Sequence, residues 1–400
     1  MKADRSRLDH SFYRVCAPSE TLARVSSHLL RLGITRIARQ TDLDRIGIPV
    51  WCAYTPNAKA IVISQGKGLD DDAARTSAVM EAIERSVATD PSCAVTTQSL
   101  RSLQLEGRTA NTLDCLLARA AHSIDLDEPL QWTPATDLQT GGIVWLPFEA
   151  VHLDRTVTAP RYWQSSDGLA SGNTLEEAIL HGLLERIERD ALTLWHVSSP
   201  ARRYGCRIDT DSIANADLQA ILSRIRNAGH DVALFDISSD LAVPCVVALL
   251  GPQQRRGLSP LRHVDVTLGA GCSTSPGQAA IRAVTEAVQS RMTFIAGARD
   301  DLLPETYTRP LHPETLTAFD APPSRRLEDM PALPVTSIDE ATTSILGRLA
   351  ARGISGIYAV NLTPPWLPAF VAKIIIPQLE NPEGERRQRY GSRALNRAFQ

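Results

Sequence analysis

Residues 168–190 read G-L-A-S-G-N-T-L-E-E-A-I-L-H-G-L-L-E-R-I-E-R-D, a glycine-bearing turn that runs into a long amphipathic helix. Asn173 or Thr174 is placed to cap that helix, and Glu176 and Glu177 suit the positive end of its dipole. Ile179, Leu183, Ile187 and Ala191 recur at helical spacing on one side, with Leu180 and Leu184 beside them. The same helix carries Glu185 and Glu188, three residues apart and therefore neighbours on its surface. Glu177 lies two turns earlier, roughly 12 Å along the axis at about 1.5 Å per residue. Three acids near one helix face repel one another. That is a poor arrangement for stability and a good one for a divalent cation.

Two further stretches have the same form. Gly66-Lys67-Gly68 precedes a helix expected over 71–89, opened by Asp70, Asp71 and Asp72 and carrying Ser77, Glu81, Glu84 and Arg85. A strand over 264–268 meets the turn Gly269-Ala270-Gly271-Cys272-Ser273 and then a helix over 276–298, with Pro276 at its start, where proline is tolerated. Setting Glu81, Glu185 and Glu286 in register aligns Ala74, Ala178 and Ala279 seven residues earlier, and Glu84, Glu188 and Gln289 three residues later. The first two units share E-x-x-E-R. Amphipathic helices also resemble one another for packing reasons alone, so the register by itself does not establish a repeat.

Around these units the patterns are plainer. A first helix is expected over 18–32, capped by Ser19 and ended by Gly33. Apolar runs at 49–54 and 59–64 form a hairpin. Residues 90–135 carry little pattern beyond a helix near 113–121. Strands follow at 142–148, 231–235, 243–250, 356–362 and 370–376, and helices at 211–228 and 337–352. Residues 253–260 read as a polar connection, 302–334 as an extended linker, and 381–400 as a charged tail with a short helix near 393–399. Four hundred residues exceed a single core, so the expected organisation is an N-terminal α/β subdomain (1–65), a catalytic core (66–380) with acidic helices at 71–89, 174–195 and 276–298, and the tail (381–400).

Bulk properties exclude several classes. A net charge of -3 offers no concentrated basic surface, so nucleic acid is not an expected partner. Residues 1–14 are polar and lack the apolar segment of a signal peptide. The longest apolar runs are too short to span a bilayer, so no membrane is expected and the location is cytoplasmic. Seven cysteines without a C-x-x-C pair read as reduced thiols, and the nine histidines show no zinc-ligand spacing.

A lone E-x-x-E-R is most simply a solvated helix face, because Glu and Arg favour helices and pair with neighbours. Several such helices, each entered from a glycine turn, favour a site. Carboxylates on two helices can share Mg²⁺ ions, which take a few carboxylates together with phosphate oxygens and water. Glycine turns admit an anion to backbone N–H groups and helix N-termini. Together these imply a nucleotide triphosphate. A di-iron bundle would require E-x-x-H, and glycoside hydrolysis would favour aromatic platforms that 5% aromatic content does not supply. Gly66-Lys67-Gly68 does not fit a P-loop, and no G-x-S-x-G motif occurs.

The blocks S-Q-G-K-G-L-D-D-D-A-A-R-T-S-A-V-M-E-A-I-E-R-S and S-S-D-G-L-A-S-G-N-T-L-E-E-A-I-L-H-G-L-L-E-R-I-E-R-D resemble the two signature blocks of the YcaO superfamily. G-A-G-C-S-T-S-P-G-Q-A-A-I-R-A-V-T-E-A-V-Q-S-R resembles its third, and the likeness runs from about residue 14 to 376. The resemblance implies an α+β fold of several mixed sheet and helix subdomains forming one catalytic unit around a carboxylate-lined site for ATP and Mg²⁺. It implies an ATP-dependent enzyme acting on peptide backbone amides: a nucleophile adds to the carbonyl, the oxyanion attacks the γ-phosphate, and phosphate departs. Residue by residue, Glu81, Glu84, Glu185 and Glu188 match the metal-binding acids. Ser77, Asn173, Glu177 and Arg189 match other nucleotide-site positions. In the third block Arg291 is preferred over Arg282 as the phosphate contact, and Arg14 and Thr21 match an N-terminal basic residue and hydroxyl.

Azoline-forming members use a Cys, Ser or Thr side chain of the peptide as nucleophile, and many end in a proline-rich tail. Here the chain ends S-R-A-L-N-R-A-F-Q, without that feature, and no extra leader-binding domain is expected. It is more similar to members that work with a TfuA-like partner and an external sulfur source to make a thioamide. Azoline formation, assistance to ribosomal-protein methylthiolation, and a non-catalytic peptide-binding scaffold are the alternatives. The expected partners are a peptide or protein substrate and a TfuA-like protein, and the reading leaves room for a homodimer.

Overall fold

The computed structural model describes residues 13–254, 260–381 and 384–400. The expected start of the N-terminal subdomain and most of the connection at 253–260 lie outside them. The strands are β1 (Arg36–Arg39), β2 (Val50–Tyr54), β3 (Ile63–Lys67), β4 (Thr96–Ser99), β5 (Pro129–Asp137), β6 (Ile143–Pro147), β7 (Leu169–Gly172), β8 (His230–Asp236), β9 (Cys245–Pro252), β10 (Thr267–Cys272), β11 (Tyr358–Asn361) and β12 (Phe370–Ile375). The helices are α1 (Pro18–Val25), α2 (Asp71–Thr89), α3 (Leu100–Leu105), α4 (Phe148–Val151), α5 (Leu175–Val197), α6 (Pro200–Tyr204), α7 (Ala216–Asn227), α8 (Pro276–Ala296), α9 (Pro304–Thr308), α10 (Pro313–Asp320), α11 (Ile338–Ala351) and α12 (Ser392–Ala398).

Three antiparallel sheets result: β1-β2-β3, β10-β9-β8, and β4-β5-β11-β12-β7 with β6 on β5. The fold is α+β. In the β10-β9-β8 sheet, Ala233, Phe235, Val247 and Leu249 face α5 and α11, whereas Val232, Leu234, Val246 and Ala248 face α7 and α8. Both faces are covered, which is why β9 reads as an unbroken apolar run. α5 contacts β7 and β12 on one side and β10 and β9 on another. A helix between two sheets is covered on most of its faces, and α5 accordingly buries Glu177, Arg186, Glu188 and Asp190 among its apolar residues.

Gly168, with a φ of 74°, makes the expected turn before β7, but the other glycines ahead of these helices lie in or just beyond strands. Gly66 lies in β3, Gly172 ends β7, and Gly269 and Gly271 lie in β10. A Cβ on Gly172 would stand 2.7 Å from Ala178 N, one on Gly271 2.2 Å from Ala279 O, and one on Gly68, just past β3, 2.6 Å from Ala74 N. The three alanines that align in sequence are therefore the three places where a strand's glycine rests on the backbone of the helix it feeds. Glycine and alanine recur because two backbones touch.

Other differences are local. Asp70 and Thr174 cap α2 and α5, accepting from Ala73 N and Glu177 N. The first helix is not capped by Ser19; Ala17 precedes it, and Glu20 reaches back to Ala17 N at 3.2 Å. The α-helix stops at Val25 and tightens into a 3₁₀ turn. No helix forms at 113–121, where Leu113 takes a left-handed φ of 52° and only a 3₁₀ turn follows. The patternless segment instead contributes β4, α3 and β5, and the expected linker at 302–334 contains α9 and α10. All seven cysteines are free thiols.

The C-terminal segment is anchored. Glu380 caps α12 by accepting from Gly391 N and Ala394 N, and Arg393 grips the fully buried Asp190 of α5 at 2.9 and 2.8 Å. Arg393→Met leaves that carboxylate buried without its cation, an expected loss of about 3–5 kcal/mol. Denaturant unfolding of the variant measures it; an unchanged midpoint refutes it.

Candidate functional site

β7 touches both α2 and α5, so it sets the two E-x-x-E pairs against one another. Ser171 of β7 donates to Glu84 Oε1 at 2.6 Å. Glu81 accepts from Gln65 N at 2.8 Å and Arg85 Nη2 at 2.5 Å. From α5, Glu185 pairs with Arg189 at 3.5 Å, and Glu188, only 4% exposed, accepts from Cys272 N of β10 at 3.0 Å. α8 adds Glu286, which is ion-paired with Lys67 of β3 and accepts from Ala270 N at 3.3 Å.

The acids feel one another. Burial pushes the Glu84 carboxyl up to about 8; the Ser171 hydrogen bond opposes this, and the charges of Glu81 and Glu185 add to it. Glu185 is pushed up to about 7, first by burial, with Arg189 opposing and Asp167 and Glu188 reinforcing. Glu188 is raised by burial and by Glu286. At Glu286 burial acts the same way, but Lys67 and Arg189 outweigh it and its pKa is lowered. Among the described residues no three His, Cys, Asp or Glu side chains converge closely enough to hold a metal ion unaided. Each carboxylate is turned to its own donor, as mutual repulsion requires.

Two guanidinium groups border these acids. Arg189 lies between Glu185 and Asp167, and its Nε, 3.6 Å from Asp167 Oδ1, is buried without a hydrogen bond. Arg282 Nε is likewise buried without a partner, and its charge acts on Glu188. Arg291 is engaged elsewhere, donating to Asp44 at 3.0 Å. The geometry thus turns Arg282, rather than the preferred Arg291, toward the acids. Ser77 is half-buried on α2, one turn before Glu81.

A second cluster gathers four of the remaining candidates. Glu177, fully buried, accepts from Arg14 Nη1 at 2.6 Å and Asn173 N at 3.2 Å, and Thr21 donates to Asn173 Oδ1 at 3.0 Å. These residues tie the N-terminal segment to the first turn of α5.

A family model described as "YcaO cyclodehydratase", ATP- and Mg²⁺-binding, matches residues 65–380. The chain belongs to the YcaO family. A relative from Rhizobium leguminosarum bv. trifolii, named only as an uncharacterized protein in the tfuA 3′ region, is 37% identical over 388 residues, 96% of this chain and 92% of its own. The structure of YcaO from Methanopyrus kandleri bound with AMPPCP and Mg²⁺ superposes with a TM-score of 0.72 at 21% identity, covering 94% of both chains. A heterocyclase in complex with substrate and cofactor gives a TM-score of 0.77 at 20% identity; the match covers 95% of this chain and 54% of that one.

ATP and Mg²⁺ are the cofactors of the YcaO family. The residues present here fit them: crowded carboxyls that a cation would relieve, and two buried Nε donors without acceptors. Mg²⁺ needs only one or two protein carboxylates when phosphates supply the rest, so a ready-made cage is not required. The spacing of acids does not reveal Asp167, Ser171 or Asp44. Glu286 is visible in the register with Glu81 and Glu185, and the pattern gives Lys67 no partner until the fold brings them together.

The raised carboxyls carry a pH signature. An acid whose pKa rises on folding contributes stability below about 4.5 that is lost as pH rises through the folded value, here about 7 to 8. Ligation of Mg²⁺ by these carboxyls, the role proposed below, would need them ionised, and metal–nucleotide binding is then expected to release about one proton near pH 7. Calorimetry of Mg-ATP binding in buffers of different ionisation enthalpy reads this directly; identical enthalpies would contradict it. Among the described residues no helix is long and apolar enough to cross a membrane.

Proposed function

We propose that this YcaO enzyme activates a backbone amide of a peptide by ATP-dependent phosphorylation of the amide oxygen, and that an external sulfur nucleophile converts it to a thioamide with a TfuA-like partner. The observation that carries the ATP-dependent step is the opposition of Glu81 and Glu84 to Glu185 and Glu188 across β7, beside the buried Nε atoms of Arg189 and Arg282 that make no hydrogen bond. The tfuA-region relative, matched over 96% of the chain, favours the thioamide product.

In this reading hydrosulfide adds to the amide carbon, the carbonyl electron pair moves to oxygen, and that oxyanion attacks the γ-phosphorus as ADP departs. Collapse then expels phosphate, and loss of the sulfur-bound proton leaves C=S. Glu81, Glu84, Glu185 and Glu188 would hold Mg²⁺, which would supply positive charge against the phosphate oxygens. Arg189 and Arg282 supply planar donors to phosphate oxygens. Ser77, Asn173 and Glu177, with Arg14 and Thr21 behind them, shape the nucleotide pocket, and Arg291 supports it through Asp44.

The product separates the readings. With peptide, partner, ATP and sulfide, the mass of the modified peptide is expected to show oxygen replaced by sulfur. Loss of water would instead establish an azoline and reject the thioamide, while an unmodified peptide without Mg-ATP binding would return the chain to a scaffold role.

A further inference from the structure

Behind the acidic site, on the far side of Asp167, lies a small cavity of ≈ 30 Å³ between β12, the loop before β7 and the segment after β12. Three cations line it: Arg186, Lys373 and Arg386, at 3%, 4% and 7% exposure. Their partners are all neutral oxygens. Arg186 donates to Asn381 Oδ1 and to the carbonyls of Leu379 and Glu380; Lys373 donates to the carbonyls of Ser165 and Asp167 at 2.5 and 2.7 Å. Arg386 Nη2 donates to the carbonyls of Asn381 and Arg389, and its Nε is buried with no partner at all.

Among the described residues none of the three forms an ion pair, although the charges of Asp167 and Glu185 favour the Lys373 ammonium and those of Asp167 and Glu380 the Arg386 guanidinium, and the direct contacts of these acids lie elsewhere. The Asp167 carboxylate, the single acid of the lining, faces Arg189; Glu380 caps α12; Asp190 is held by Arg393. Three buried cations with no carboxylate in direct contact are an expensive arrangement, since a buried charge that is not fully compensated costs several kcal/mol. The cavity has room for an ion of about the size of water.

We propose that this cavity is a binding site for a small monovalent anion, of the size of chloride or hydrosulfide, held by Arg186, Lys373 and Arg386. Burial and the neighbouring Arg186 already lower the Arg386 pKa, and burial brings Lys373 down to about 8, the strain an anion relieves. Lys373 also fixes the Ser165 and Asp167 carbonyls, so the anion buttresses the loop that presents Asp167 to Arg189 and thereby to Glu185. Existence of the site does not depend on the product assigned above.

Bromide is the probe. Crystals of the full chain soaked in millimolar sodium bromide are expected to show an anomalous peak among the three side chains. In solution, replacing gluconate by bromide at constant ionic strength is expected to raise the melting temperature by about 2 °C or more. Lys373→Met is expected to lose that difference; should it not fold, the wild-type comparison and the soak stand alone. Hydrosulfide added to the bromide form distinguishes the sources: displacement assigns the cavity to the sulfur nucleophile, retention assigns it to halide. Equal melting temperatures with no peak, or a peak only at molar bromide (an adventitious ion only), would overturn the proposal.

Discussion

Glu84→Gln and Glu185→Gln are expected to weaken Mg-ATP binding by about 10²–10³-fold while making the protein harder to unfold at pH 8. The first effect follows from removing one negative charge from the proposed cation site; at ~4 Å and an effective dielectric of ~20 even two unit charges interact by about 4 kcal/mol. The second follows from the direction of the pKa shifts. Both carboxyls titrate higher in the fold than in the open chain, Glu84 at about 8 and Glu185 at about 7, so at pH 8 the native state holds charges it disfavours. A neutral amide of the same shape removes that cost, an expected gain of about 1–3 kcal/mol. At Glu84 the amide oxygen can still accept from Ser171. The gain should vanish below about pH 4.5, where the wild-type groups are protonated in both states. Calorimetry for binding and urea midpoints at pH 5 and pH 8 for stability test the two limbs together. Tighter folding with intact nucleotide binding would remove these acids from the site; lost binding with lost stability would make them structural.

How much of this is legible in the chain depends on what each residue answers to. The acids of α2 and α5 are legible because helical spacing fixes which residues share a face, and a surplus of like charge there has no structural reason. The cap at Thr174 and the bounds of α2 follow from local chemistry for the same cause. Residues 90–135 hide β4 and β5 because β4 pairs with β5 across the long segment between them and β5 pairs in turn with β6 and with the distant β11, and no local period records that. The preference for Arg291 over Arg282 turns on Asp44, which stands 247 residues earlier and is invisible until the chain folds. Arg186, Lys373 and Arg386 are hidden for a related reason: each is an ordinary basic residue in its own neighbourhood, and only burial makes three of them a question. The glycines are the instructive middle case. Their positions are conspicuous in sequence and invite a phosphate-binding turn; Gly168 does turn the chain before β7, yet the fold uses Gly66, Gly172, Gly269 and Gly271 as strand surface.

That use makes Gly66→Ala the most damaging small substitution expected in the molecule. A methyl group at Gly66 would stand 2.0 Å from Ala78 N and 2.2 Å from Ala74 O, far inside contact distance. Both atoms belong to the hydrogen-bonded backbone of α2, so no side chain can swing away; the helix must lift from β3 or the strand must move. Either shift disturbs Gln65 N, the donor that holds Glu81, and Lys67, the partner of Glu286. Overpacking a core costs typically about 1–3 kcal/mol, and a clash between two backbones belongs at or beyond the upper end. Gly269 is built the same way, with a Cβ 2.2 Å from Ala283 O and 2.3 Å from Ala287 N, and is expected to respond alike. Gly107 supplies the control for lost flexibility: it has a positive φ of 71° and nothing within 4 Å of its Cβ, so alanine there carries backbone strain without a clash. Under this account Gly66→Ala and Gly269→Ala lose about 3 kcal/mol or more and Gly107→Ala about 1 kcal/mol. Urea unfolding of the three variants orders them. Equal losses at all three positions would mean that backbone conformation, not the contact between strand and helix, is what the glycines serve. A stable Gly66→Ala that fails only to bind Mg-ATP would restore the phosphate turn in place of the packed strand.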